Sequence, residues 1–278
     1  MLDLATRRLR GAGVPSARLD ARVLLGHAMR VNPASLLPGS TRVVEASQAA
    51  EYAGLIDRRL LRTPVSHLTG SREFYGRPFH VTPDVLDPRA DSECVVEMAL
   101  ACLPADRASR ILDLGTGTGC LLLTLLAERV LASGTGIDVS DAALAVARGN
   151  ATALGLADRA AFQVGNWLDG ITGQFDLVIS NPPYIPAAEI PLLQPEVRDH
   201  EPRLALVGGD DGLDPYRHIC PELGARLAPD GVAVFEFGMG QARQVAAIAQ
   251  ASGLVSVQTV RDLGGIERGI TLKSAVPA

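Results

Sequence analysis

After residue 109 the chain alternates short apolar runs with alanine-rich stretches of helical period, and this alternation constrains the fold most. The runs at 110–114, 134–138, 160–164, 175–180 and 231–237 are too short for helices and read as strands. The stretches at 120–132, 141–154, 213–227 and 240–252 place apolar side chains three and four residues apart, as a helix with one buried face requires. A strand followed by a helix and a further strand predicts a parallel sheet with helices on both faces. The tail departs from this rhythm. Two strand-like runs, 254–262 and 267–273, flank Leu263-Gly264-Gly265-Ile266 and predict a closing antiparallel hairpin.

The amino-terminal third has a different pattern. Segments 2–10, 17–30 and 45–62 carry helical spacing, separated by Gly13-Val14-Pro15 and Asn32-Pro33, with Ser16 placed to cap the second helix. From Pro64 to Pro88, Phe74, Tyr75, Phe79 and Val81 interleave with Gly76 and Pro78 and predict a short β-hairpin linker; a helix from Asp91 or Ser92 through Cys102 follows. The expected division is a helical module at 1–72, a linker at 73–90 and an α/β domain at 91–278.

Composition excludes several classes. Hydrophobic residues make up 47% and charged residues 21%, which favours a folded chain over a disordered one. The apolar run near Leu121–Ala127 is too short to cross a bilayer, and the amino terminus lacks the pattern of a secretory signal, so no membrane partner is expected. Cys94, Cys102, Cys120 and Cys220 form no C-x-x-C pair, and the five histidines show no metal spacing; a metal-free protein of the reducing cytoplasm is expected. Residues 1–80 carry twelve basic against six acidic side chains, and the remaining 198 carry fourteen against twenty-five. Arg-favouring codon usage accounts for this asymmetry, as does a basic module that docks an acidic or nucleic-acid-associated partner.

Asp113-Leu114-Gly115-Thr116-Gly117-Thr118-Gly119 joins the first strand to a helix. Glycine there lets the backbone turn sharply and approach a ligand. The spacing is G-x-G-x-G, whereas pyrophosphate binders use G-x-G-x-x-G. Asp113 would repel a pyrophosphate but can accept from an ammonium, and Asp138, at the end of the second strand, can accept from both hydroxyls of a ribose. An amino acid joined to a nucleoside, S-adenosylmethionine, satisfies both. Trp167, in Gly165-Asn166-Trp167 at the third strand's end, can cover an adenine face or serve as core.

The strand at 175–180 ends in Asn181-Pro182-Pro183-Tyr184. The prolines stiffen the turn and aim a carbonyl outward. The Asn181 side-chain oxygen and the Pro182 carbonyl can accept the two hydrogens of a planar amine or carboxamide, while the Tyr184 ring covers its face. Two acceptors favour the charge that develops as the nitrogen lone pair meets a methyl group. The expected reaction is N-methylation with S-adenosylmethionine as donor and S-adenosylhomocysteine as product. Candidate cofactor contacts are Asp113, Gly115, Thr116, Gly117, Thr118, Gly119, Asp138, Trp167 and Asn181. The candidate substrate contacts are Asn181, Pro182, Pro183 and Tyr184, with Asn181 and Pro182 catalytic.

Along almost its whole length the chain resembles the bacterial release factor glutamine methyltransferases, the PrmC or HemK family. The resemblance lies in Pro64-Val65-Ser66-His67-Leu68-Thr69-Gly70, in Arg72 to Gly76, in Val81 to Leu86, and in Pro88-Arg89 with Asp91-Ser92-Glu93. It continues through the glycine loop, Asn181 to Tyr184, Glu201-Pro202-Arg203-Leu204-Ala205-Leu206 and Gly208-Gly209-Asp210-Asp211-Gly212-Leu213. The resemblance implies a class I, Rossmann-like methyltransferase domain with a seven-stranded sheet, behind a small helical domain. It implies as substrate the glutamine of the Gly-Gly-Gln motif in peptide chain release factors 1 and 2, methylated on its side-chain nitrogen. It places the family's cofactor contacts on Gly115 to Gly119, Asp138, Trp167 and Asn181, and its glutamine contacts on Asn181 to Tyr184. No nucleic acid is then a direct substrate; the alternative is an N6-adenine or N2-guanine methyltransferase, which shares Asn-Pro-Pro-Tyr and must flip its base. Three positions depart from the family pattern: Asn166 replaces a usual acid, Ala90 a usual proline and His67 a usual tyrosine.

Overall fold

A computed structural model describes residues 1–36 and 42–275. They form two compact units, one of Met1–Ser71 with Gln194–His200 and one of Arg72–Leu193 with Glu201–Ala278. Among the described residues no helix is long and apolar enough to cross a membrane.

The first unit is helical. It contains α1 (Leu2–Gly11), α2 (Ala17–Met29), α3 (Ala46–Leu60) and a short α4 (Val65–Thr69). Leu9, Leu24, Leu25, Tyr52, Ile56 and Leu68 form its core, and the buried Tyr52 hydroxyl donates to the Ala21 carbonyl at 3.0 Å. Ser16 occupies the cap position of α2 without making a capping hydrogen bond. Its φ of −89° and ψ of 19° lie outside the extended region that would aim its hydroxyl at the first free N–H groups. The α4 turn falls within the expected helical module, at the start of the Pro64 to Pro88 stretch. The segment after the Asn-Pro-Pro-Tyr loop forms an unexpected helix, whose range is given below. Its Glu196 bridges Arg59 and Arg62, each at 2.7 Å, and Arg59 in turn reaches the buried Asp20 at 2.8 Å.

The second unit begins with the expected hairpin, β1 (Ser71–Phe74) and β2 (Arg77–His80). Tyr75 and Gly76 turn it, both at positive φ, which matches the right-handed twist of the flanking strands. A 3₁₀ turn at Ala90–Ser92 leads into α5 (Glu93–Cys102). The alternating region follows as β3 (Arg110–Leu114), α6 (Cys120–Glu128), β4 (Ser133–Asp138), α7 (Asp141–Ala153), β5 (Ala160–Val164) and β6 (Phe175–Ser180). The unexpected helix, α8 (Pro195–His200), precedes α9 (Asp214–Arg226), β7 (Leu227–Glu236), α10 (Ala242–Ala251), β8 (Leu254–Arg261) and β9 (Glu267–Ser274). Helix α6 stops short of its predicted end: the Arg129 guanidinium donates to the Leu100 and Leu103 carbonyls at the end of α5 and turns the chain away.

The seven-stranded sheet has the order β5-β4-β3-β6-β7-β9-β8. Pairings from β5 through β7 are parallel, and β9 is antiparallel to both β7 and β8. Its central strands, β3, β6 and the second half of β7, are buried on both faces, as a place between two helical layers demands. Ile111, Leu177, Ile179, Val232 and Val234 face α5 and α6, while Leu112, Leu114, Val178, Ala233 and Phe235 face α9 and α10. The chain winds outward from β3 to β5, then restarts at β6 on the other side of β3. Open α/β sheets bind ligands at the carboxyl ends of the strands where the winding reverses, and here those ends carry the glycine loop and Asn-Pro-Pro-Tyr.

Candidate active site

A cavity of about 420 Å³ opens at that edge. Its wall includes Gly115, Thr116, Gly117, Thr118, Asp138 and Trp167 together with Asn181 and Pro183. Four of the residues singled out from sequence, Asp113, Gly119, Pro182 and Tyr184, lie outside the wall.

The glycine loop is held by its own backbone. The N–H groups of Gly115 and Thr116 both donate to the Ile137 carbonyl, at 2.8 and 2.9 Å, and Gly117 N–H donates to Asp138 Oδ2 at 2.9 Å. Gly115, Gly117 and Gly119 have φ of 71°, 53° and 79°, conformations that side chains resist. A Cβ on Gly115 would stand 3.3 Å from the Trp167 ring, so glycine there also clears space for the indole. Trp167 itself sits at φ 54°, a left-handed conformation that a bulky residue keeps only where its surroundings enforce it.

Asp113 supports the loop from behind. It is buried, and its Oδ2 accepts the Thr116 hydroxyl at 2.6 Å. Burial pushes its carboxyl up to about 7, against the opposing pull of Thr116 and the Leu122 N–H. Asp138 lines the cavity, and each of its oxygens also holds a backbone N–H, of Gly117 and of Ser140 at 3.0 Å. Asn166 donates through Nδ2 to Asp169 at 2.9 Å, and Asp169 pairs with His218 at 3.2 Å. The Asn166 side-chain oxygen is thereby left as an acceptor. The thiol of Cys120 is pushed up to about 12 by burial, which suits a neutral packing residue and not a nucleophile.

On the neighbouring strand, Ser180 anchors the end of β6 to the Leu114 carbonyl at 2.7 Å. Asn181 Nδ2 donates to Ser92 Oγ at 3.2 Å. The Tyr184 hydroxyl points toward Glu236 Oε1 at 3.5 Å, and its ring packs near Gly238. Burial, with the Glu236 charge, raises the Tyr184 phenol above its ordinary value.

The two motifs downstream, Glu201 to Leu206 and the glycine-bearing Gly208 to Leu213, explain themselves in this geometry. Ile185 pairs with Val207 in a parallel bridge, with Ile185 N–H to Leu206 O and Gly208 N–H to Ile185 O, both at 3.0 Å. A Cβ on Gly208 would lie 2.5 Å from the Pro183 carbonyl, and one on Gly212 would lie 2.2 Å from that of Tyr184. The Gly208 to Leu213 loop therefore braces the backbone of Asn-Pro-Pro-Tyr. Glu201, buried, pairs with Arg89 at 2.5 Å, and burial still pushes its carboxyl up to about 7.

Sequence reasoning missed Ser92 and Glu236. Glu236 ends β7 directly after a wholly apolar run, and a carboxylate in that position on a central strand was the available signal. Burial pushes its carboxyl up to about 7, opposed by Ser92, Arg268 and Tyr184 and aided by Asp91. Among the described residues no group of three or more His, Cys, Asp or Glu side chains is arranged to hold a metal.

Residues 1–70 match the family model of the PrmC N-terminal domain, and residues 94–192 match that of the methyltransferase small domain. The release factor glutamine methyltransferase of Rhodospirillum rubrum is 48% identical over 268 residues, covering 96% of this chain and 82% of the relative. The protein of the same name from Bradyrhizobium diazoefficiens is 45% identical over 97% of this chain and 92% of its own. Among solved structures, a methyltransferase from Pyrococcus furiosus superposes with a TM-score of 0.56 at 16% identity, over 79% of this chain and 99% of that one. The ribosomal protein L11 methylase of Lactobacillus delbrueckii subsp. bulgaricus gives 0.52 at 17% identity, over 74% and 89%. These two structures share the fold of the α/β unit.

Proposed function

The chain belongs to the release factor glutamine methyltransferases, and from that premise we propose that Asn181 Oδ1 and the Pro182 carbonyl accept the two hydrogens of the substrate's side-chain amide. The enzyme methylates glutamine in release factors and uses S-adenosylmethionine. The protein substrates are release factors 1 and 2, met in the cytoplasm, and the target is the glutamine of their Gly-Gly-Gln loop. The helical module, residues 1–72, docks them.

The cavity fits the donor. Its volume suits a nucleoside joined to an amino acid, part of its wall is backbone kept bare by glycine, and Asp138 and Trp167 both line it. Asp138 accepts ribose hydroxyls, Trp167 covers the adenine, and Gly115 to Thr118 pass along the amino-acid portion. Asp113 acts from behind, holding Thr116 and so the loop. When bound, S-adenosylmethionine supplies a methyl group already activated by its sulfonium.

The chain's own task is alignment. An amide nitrogen is a poor nucleophile because resonance occupies its lone pair. Two fixed acceptors on its hydrogens favour the positive charge that grows at nitrogen during attack, and they hold the lone pair in line. No base need act beforehand; the proton is released after transfer. Asn181 suits this role because its Nδ2 is already engaged by Ser92, so its oxygen is the end left for the cavity. That single contact, beside the same cavity as the glycine loop, carries the reading.

The test uses labelled S-adenosylmethionine with a release factor, the same factor with Gln→Ala in its Gly-Gly-Gln loop, and duplex DNA. Label enters only the unaltered factor. Label in DNA, or equal label in the Gln→Ala factor, overturns the reading.

A further inference from the structure

Beneath Asn181 lies a buried carboxylate that the reaction as described does not use. Strand parity puts it there. Leu177 and Ile179 of β6 and Val232 and Val234 of β7 point to the α5 layer, and Ser180 pairs with Phe235. One residue further, Asn181 and Glu236 therefore share that face, beside the start of α5. Ser92, 2% exposed, sits at the junction; its Oγ accepts from Asn181, and its hydroxyl stabilises the charge on Glu236. Glu236 is 1% exposed and lies outside the cavity wall. Its Oε2 has no hydrogen-bond partner among the described residues, and its Oε1 has the Tyr184 hydroxyl at 3.5 Å. A buried carboxylate with so few donors is a costly way to fill space.

We propose that Glu236 and Ser92 are positioning residues that decide which end of the Asn181 amide faces the substrate nitrogen. This rests on the reading of Asn181 Oδ1 as an acceptor. A carboxamide can turn end for end with almost no change in shape, and its two ends have opposite hydrogen-bonding sense. A serine hydroxyl is equally ambivalent. A carboxylate is not, because it only accepts. On this reading the Glu236 charge draws the Ser92 hydrogen toward itself, so Ser92 offers Asn181 a lone pair, the sense of the contact that Asn181 Nδ2 makes with Ser92 Oγ at 3.2 Å. The oxygen is left for the cavity. With the amide reversed, an N–H would oppose the substrate's own N–H, and the acceptor that alignment needs would be gone.

The experiment compares Glu236→Gln and Ser92→Ala in the full chain. In Glu236→Gln an amide of equal volume can donate to Ser92 Oγ, freeing the serine hydrogen to point at Asn181 and favouring the reversed amide. Each variant is expected to lower kcat by roughly 10- to 100-fold, with the KM for release factor and the S-adenosylmethionine dissociation constant within about threefold of wild type. In an Asn181→Ala background neither substitution lowers the residual rate further, because the group they orient is absent; a general packing defect would lower it again. Wild-type kcat in both single variants, or full additivity with Asn181→Ala, overturns the inference. If Asn181→Ala itself keeps full activity, the reading beneath it fails instead. If Asn181→Ala is inactive while both variants turn over normally, only this inference fails. Should Glu236→Gln unfold, Ser92→Ala carries the same test, with folding followed by thermal melting.

Discussion

Gly212 offers a quantitative check on the claim that the Gly208 to Leu213 loop braces the catalytic turn. Its φ is +78°, and a Cβ there would lie 2.2 Å from the Tyr184 carbonyl and 2.7 Å from Gln241 Nε2. Two costs follow for Gly212→Ala. The left-handed backbone costs a residue with a Cβ about 1–2 kcal/mol. Overlap with a backbone oxygen finds no rotamer to relieve it, and overpacking of this kind adds roughly 1–3 kcal/mol. The total, about 3 kcal/mol, lowers the melting temperature by roughly 6–12 °C for a unit of this size. Gly155→Ala is the control: φ is +70° and nothing lies within 4 Å, so only the first cost applies. The assay is calorimetric melting alongside methyl transfer at a temperature where both variants are folded. Gly155→Ala is expected to melt a few degrees low and turn over normally. Gly212→Ala pushes on the Tyr184 carbonyl and so on the turn that carries Asn181, and a displacement of about 1 Å at that aligning group costs on the order of 100-fold in rate. Equal melting and equal turnover for the two variants would refute the bracing argument.

Three further outcomes are expected. Asp138→Ala removes the acceptor assigned to the ribose; losing two charge-assisted hydrogen bonds of about 1.5 kcal/mol each raises the S-adenosylmethionine dissociation constant on the order of 100-fold by calorimetry. Asp113 has its carboxyl raised from 3.8 to about 7 by burial, so the folded chain keeps a proton that the unfolded chain releases. The stability from this group is present below about pH 4 and lost as pH climbs to 7, so Asp113→Asn gains on wild type by about 4 kcal/mol between pH 4 and 8 in denaturant unfolding. Glu236 orients Ser92 only when charged, so wild-type kcat is expected to fall as pH drops through about 7, and Glu236→Gln to lose that step. The groups facing it are Ser92, Tyr184, Arg268 and Asp91, with the Tyr216 phenol and the Cys94 and Cys120 thiols close enough to feel its charge; burial raises the phenol well above its ordinary value and the two thiols to about 11 and 12, so all three stay neutral throughout.

Much of this site was legible because its chemistry is local in sequence. A strand end, a glycine turn and the next strand's terminal acid are each encoded within a few residues, and their placement at one cavity follows from backbone geometry. The β-hairpin was readable for the same reason, since Tyr75-Gly76 forces the turn. What escaped depends on tertiary neighbours. Ser92 and Asn181 are 89 residues apart in sequence, and only the pairing of β6 with β7 and the placement of α5 bring them and Glu236 together. Tyr184 was expected to cover the substrate face, yet its hydroxyl points toward Glu236, outside the cavity wall. The α8 helix was hidden because its Glu196 gains its partners, Arg59 and Arg62, from a segment more than 130 residues earlier. Ser16 had the right residue type for a cap and the wrong backbone.

The most direct test of the central claim is tandem mass spectrometry of a release factor after incubation with S-adenosylmethionine and either wild-type chain or Asn181→Ala. Wild type is expected to leave one methyl group on the side-chain nitrogen of the Gly-Gly-Gln glutamine. Asn181→Ala is expected to leave that glutamine unmodified while still binding S-adenosylmethionine. A methyl group on any other residue, or full modification by Asn181→Ala, would contradict the account.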